Sequence, residues 1–126
     1  MAVNYRASLK TTRMAAVLAD IDNHASPARL QIWSASFATL LAEITLGDPS
    51  FSQSGAVLTM LGVPRSDASA NATGTAAVAR IVDGGGTTIV DGLTVGTVGT
   101  DIIVNNTAVV AAQTVTITAG TITHAA

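Results

Sequence analysis

The chain has no cysteine among its 126 residues, which excludes disulfides and thiolate metal sites as sources of stability. Aromatic residues are only 3% of it: a single Trp, a single Tyr and two Phe, so bulky core fillers are few. Charge is scarce as well. Asp, Glu, Lys and Arg make up 11% of residues, against about 25% in an average soluble domain. No apolar run approaches the roughly 18 residues of a membrane helix, and no basic-then-apolar leader opens the chain. A protein first folded in a cytoplasm is expected, with no membrane partner. Its cations are too sparse for nucleic acid, which requires a dense Lys/Arg face.

Ala, Thr, Val and Gly fill the space that charge leaves. A surface built from them is usually buried against partners, since isolated soluble domains carry more dispersed charge. The bland alternative is that Thr, Ser and Asn keep such a surface wet unaided. The first reading predicts a homo-oligomer, a dimer or trimer. The charges are also uneven. Residues 1–30 hold Arg6, Lys10, Arg13 and Arg29 against Asp20 and Asp22. The remainder holds Arg65 and Arg80 against Glu43, Asp48, Asp67, Asp83, Asp91 and Asp101. A chain divided this way can set its basic end against an acidic neighbour.

Length argues for a single domain over residues 1–126, with an arm at 1–6, a helix at 7–23 and a β-sandwich at 29–123. Met14, Val17, Leu18 and Ile21 fall at i, i+3, i+4 and i+7, one apolar stripe, and Ser8 is placed to cap the helix. Arg6, Lys10 and Arg13 lie in its first half, where the helix dipole disfavours cations. That conflict makes these three the candidate partner-binding residues. The competing reading is an amphipathic helix that only packs on its own β core.

Period two then replaces period 3.6. The clearest hairpin runs from Gly74 to Val95, two Val/Ile/Thr-rich runs around Gly84-Gly85-Gly86. Arg29 to Trp33 alternates, as does Leu40 to Leu46, with Leu40, Ala42, Ile44 and Leu46 expected inside. Ala56 to Val63, Ile102 to Val104 and Thr114 to Thr123 read as further strands, with Gly120 marking a bulge. Gly47 to Ser50 reads as a turn, and Ser66 to Thr73 as a loop. Leu30, Ile32, Leu58, Met60, Val78, Val82, Ile89, Val115 and Ile117 complete the expected core. Turns every 8–12 residues or so predict an all-β fold. The fold class is a jelly-roll-like β-sandwich of seven to eight short antiparallel strands with one N-terminal α-helix.

No stretch spells out a reaction. The triple glycine lacks the Lys-Ser/Thr and the following helix of a phosphate loop. His24 and His124, the only imidazoles, have no ligand-spaced companion and read as surface residues. Asp83, Asp91 and Asp101 near turns read as turn formers rather than a calcium site. Trp33, Phe37 and Phe51 are too few for a sugar-stacking platform. No catalytic, cofactor-binding or metal-binding residue is assigned, and no cofactor is expected.

The segments Ser69 to Ala76, Ala79 to Asp83, Gly96 to Ile102 and Asn105 to Thr107, with the Thr-rich end around Ile117 and Ile122, resemble short proteins of tailed bacteriophages and prophages. The resemblance covers about residues 29–123 and is carried by turn and strand signatures; Gly84-Gly85-Gly86 departs from it where an Asp-Gly turn is expected. Such proteins are similar to small virion proteins encoded near the major capsid protein, among them capsid decoration or cement proteins with jelly-roll-like sandwiches. The resemblance implies a structural virion protein that stabilises the head across major capsid protein subunits. It implies no catalytic residues. Alternatives are a phage tail, baseplate or receptor-binding module and, from another class, a small hydrolase with a diffuse active site.

Overall fold

The computed structural model describes residues 6–23, 26–47 and 50–123. The expected arm up to residue 5, both histidines, and Asp48 and Pro49 of the expected turn lie outside these residues. The apolar stripe folds as helix α1 (Ala7–Ile21), with Met14 and Ile21 buried and Val17 and Leu18 packed against the core. Ser8 is not its cap. Arg6 is the extended boundary residue, its carbonyl accepting the Leu9 and Lys10 N–H groups, and no side chain caps the helix. The helix also ends at Ile21, short of the expected residue 23. The carboxylate of Asp22 accepts the Ser50 N–H at 3.2 Å and ties the helix end to the sheet.

Eleven strands follow among the described residues, more than the seven or eight expected. They are β1 (Arg29–Trp33), β2 (Leu40–Thr45), β3 (Phe51–Ser54), β4 (Val57–Met60), β5 (Arg65–Asp67), β6 (Gly74–Thr75), β7 (Val78–Val82), β8 (Thr88–Gly96), β9 (Ile102–Val104), β10 (Ala108–Val109) and β11 (Val115–Thr123). The main sheet runs β2-β1-β7-β8-β9-β11-β4-β3, β5 also pairs with β11, and β6 and β10 form a separate two-stranded ribbon. The sheet is mixed, not purely antiparallel: β9 lies parallel to β8, Val95 opposite Ile102. Parallel neighbours normally need a crossover of a dozen or more residues. Here residues 97–101 suffice, because only two residue pairs are joined and Asp101 clamps the loop. Its carboxylate accepts both the N–H and the hydroxyl of Thr94 at 3.1 Å.

The sheet curls until its β2 edge meets β5. Asp67 accepts the Glu43 N–H at 3.1 Å, the Arg65 guanidinium donates to the Thr45 carbonyl at 3.5 Å, and the Asn71 N–H donates to the Leu41 carbonyl at 2.7 Å. These bonds occupy backbone groups that an open edge strand would leave unpaired. They also explain β5, which falls where a loop was expected. Arg65, Ser66 and Asp67 have little strand propensity and take strand geometry by pairing with Ile117, Thr116 and Val115.

Leu30, Ile32, Ala42, Ile44, Leu46, Leu58, Met60, Val82, Val115 and Ile117 are buried as expected. Leu40, Val78 and Ile89 are only half-buried. A bulge explains the first. Trp33 pairs with Leu40 and Ile32 with Ala42, so the unpaired Leu41 turns inward and Leu40 outward. On β7, Ala79 and Ile81 take the inner face that Val78 was expected to hold. Ile89 sits where the β7–β8 register shifts. In β11 the irregularity falls between Ile117 and Ala119, ahead of Gly120, which is buried opposite Ile102.

Gly74 and Thr75, expected at the start of the central hairpin, pair with β10 instead, and the hairpin forms as β7 against β8. Asp83 organises its turn, accepting the Gly85 and Thr87 N–H groups at 2.9 and 3.0 Å. Gly86 takes a φ of +90°, favourable only to glycine. Gly84 is needed for space: a Cβ there would meet the Ser26 carbonyl oxygen and lie 2.7 Å from its carbon. Gly84→Ala should therefore destabilise by about 1–3 kcal/mol. Gly85→Ala, at an exposed position, should stay within about 0.5 kcal/mol. Urea unfolding of the two variants side by side checks the difference.

Candidate functional site

Lys10 and Arg13 lie three residues apart on one side of α1, and Arg6 stands just before the helix in extended backbone. Arg6 and Arg13 are exposed and Lys10 half-buried. The first turn of the helix contains no acidic residue. The helix stays on the sheet by other means, the apolar stripe and a 2.6 Å bond from the Gln53 amide to the Thr11 carbonyl. Lys10 and Arg13 thus lie in the first half of the helix, with Arg6 at its boundary.

A second surface was not read from the sequence. Strand alternation sends Leu30, Ile32, Ala79 and Ile81 inward, so Arg29, Gln31 and Trp33 of β1 and Arg80 of β7 share the outer face. The chain then turns tightly between β1 and β2. Ser34 and Thr39 pair through their backbones at 3.0 Å, and the Ser34 hydroxyl accepts the Thr39 N–H. Inside this turn Ser36 and Phe37 have φ of 59° and 54°, left-handed values that cost a non-glycine residue about 1–2 kcal/mol. This strained turn folds Phe37 back over β7.

The result is a platform. The Arg80 guanidinium carbon lies 4.8 Å from the Trp33 ring centroid and 4.3 Å from that of Phe37. The two rings meet edge to face, centroids 6.1 Å apart. A polar chain anchors one side: the Trp33 indole N–H donates to Gln31, Gln31 donates to Glu43 at 2.8 Å, and Glu43 pairs with Arg29 at 3.3 Å. Gathering Trp, Phe and Arg outside the core matches the composition of interface hot spots. Its sequence signal was Arg80, which breaks the inward parity of a strand register built on Val78 and Val82. Phe37 gave none, because its placement depends on the strained turn.

Concavities also open among the described residues. An open groove of about 600 Å³ beside the second half of α1 is lined by Ala16, Val17, Ala19, Asp20, Asn23 and Ile89. Its one carboxylate, Asp20, accepts the Asn23 amide at 2.9 Å. A smaller cleft of about 160 Å³ lies among Asn105, Asn106, Gln113 and Thr114 and has no ionisable side chain in its lining. Asp83 and Asp101 are each engaged within their own turns. Among the described residues no three His, Cys, Asp or Glu side chains group as metal ligands would. No protein family, curated protein or solved structure matches this chain.

Proposed function

We propose that this chain is a structural virion protein, a capsid decoration or cement protein that binds across major capsid protein subunits on the outside of a phage head. The phage-like turn and strand segments support that reading, as does a surface poor in charge. The platform of Trp33, Phe37 and Arg80 carries it furthest, since a solitary domain gains little from holding large rings and a cation outside its core. In this reading the curled mixed sheet is a variant of the jelly-roll-like sandwich. The protein acts as a dimer or trimer on the virion surface. Arg6, Lys10 and Arg13 make a second contact with acidic capsid surface. Each copy needs only modest affinity, because many copies bind the lattice in parallel.

Co-sedimentation with empty heads assembled from the major capsid protein of the same genome tests this. Trp33→Ala should lower occupancy at limiting protein by tenfold or more, since a hot-spot truncation costs about 2 kcal/mol or more. Reversing Arg6 and Arg13 together should weaken binding mainly at low salt, where screening is least. Failure of the wild-type protein to bind heads would sink the decoration reading. Full occupancy by Trp33→Ala would remove the platform from the contact.

A further inference from the structure

We propose that Arg80 is a carboxylate receptor, and that the platform takes an Asp or Glu side chain of the assembling partner end-on into the guanidinium. This rests on the platform being a protein contact, and names the chemistry of what it contacts. Arg80 lies in the corner formed by two rings that touch each other edge to face, so they cover adjacent sides of its guanidinium and leave the side away from them as the polar route of approach. Its Nε is buried and has no hydrogen-bond partner. Among the described residues its side chain makes no ion pair and no hydrogen bond.

The acids nearby are committed or turned away. Glu43 is spent on Arg29 and Gln31. Asp91 stands across from Arg80 where β8 bulges between Val90 and Leu93, exposed and not bonded to it. The cation is therefore oriented, partly desolvated and without a counter-ion. A planar carboxylate that reaches the two terminal nitrogens can accept two parallel bonds, the geometry in which Arg exceeds Lys. The flanking rings would lie against the methylenes that carry it. Phosphate fits less well. It brings more negative charge to a single guanidinium, with Glu43 and Asp91 close by.

Trp33 is the only tryptophan, so its fluorescence reports the platform directly. The probe is an acetylated, amidated Gly-Ala-Glu-Ala-Gly peptide, compared with its glutamine counterpart and with inorganic phosphate. The glutamate peptide should change the emission saturably, with half-saturation on the order of millimolar. The glutamine peptide and phosphate should bind at least tenfold more weakly. The response should fade as the peptide carboxyl protonates near pH about 4.3. Arg80→Lys should weaken it about tenfold by losing the fork, and Arg80→Gln should abolish it, with urea midpoints confirming that both variants are folded. An equal response to the glutamine peptide, tighter binding of phosphate, or an undiminished response in Arg80→Gln would overturn the inference. Heads separate it from the reading beneath it: full occupancy by Arg80→Gln with loss in Trp33→Ala would overturn the carboxylate but keep the interface. Self-association of the wild type that Arg80→Gln alone abolishes would place the carboxylate on a second copy, overturning its assignment to a different partner.

Discussion

Phe51→Ala should remove about 3–5 kcal/mol of folding stability, the largest loss expected from any single truncation in this chain. Phe51 opens β3 and is 1% exposed, the bulkiest of the fully buried side chains. With two phenylalanines in the whole sequence, no other core ring stands ready to fill the space. The site is also braced against collapse. Its strand pairs with β4 through Phe51 and Met60, Ser50 is tied to Asp22, and Gln53 reaches the Thr11 carbonyl. A site that cannot contract keeps its cavity, which puts the cost toward the upper end of the range. Trp33 is larger, yet Trp33→Ala should cost less, because that ring is half-exposed on the platform. Urea unfolding of both variants decides the order. A loss below about 1 kcal/mol for Phe51→Ala would mean that helix and β3 close over the gap.

Phe51 also shows where reading the sequence stopped. Period-two alternation placed β1, β2 and β11, apolar or Val/Ile/Thr-rich runs between turns placed β4, β7, β8 and β9, and the period-3.6 stripe placed α1, because each buries a face through its own residues. Phe51-Ser52-Gln53-Ser54 offers a single apolar residue and becomes a strand by pairing with Val57 to Met60. Ala108-Val109 is likewise a strand only beside Gly74-Thr75. Such segments depend on tertiary partners and leave no periodic trace. Bulges were the second obstacle. One unpaired residue, Leu41, reverses the parity of Leu40, and a one-residue shift changes the face of every side chain beyond it. Of the helix's cations, the spacing of Lys10 and Arg13 was legible, whereas Arg6 stands outside the helix in extended backbone. The platform was not, because it joins two strands far apart in sequence to a turn held in left-handed backbone.

Ile44→Ala should cost about 2–5 kcal/mol, and its size depends on the seam between β2 and β5. Ile44 is 1% exposed and sits opposite Leu30 on β2, the terminal strand of the sheet path. On an open edge the strand could settle into the cavity and soften the loss. Here the neighbouring Glu43 N–H is held by the Asp67 carboxylate, which also accepts the Ser69 N–H at 3.0 Å, so β2 is fixed from its outer side. Asp67→Ala removes that hold and by itself should cost about 1–3 kcal/mol. Once it is gone β2 can relax, so Ile44→Ala should then cost less than in the intact protein. Contacting sites of this kind couple by about 0.5–3 kcal/mol. A double-mutant cycle on Ile44→Ala and Asp67→Ala, followed by denaturant unfolding, measures the term. A double variant more stable than the sum of the single losses supports a sheet closed on itself at this seam. Additivity within about 0.3–0.5 kcal/mol would show that β2 stands as an ordinary edge strand, with the Asp67 bond contributing locally and nothing more.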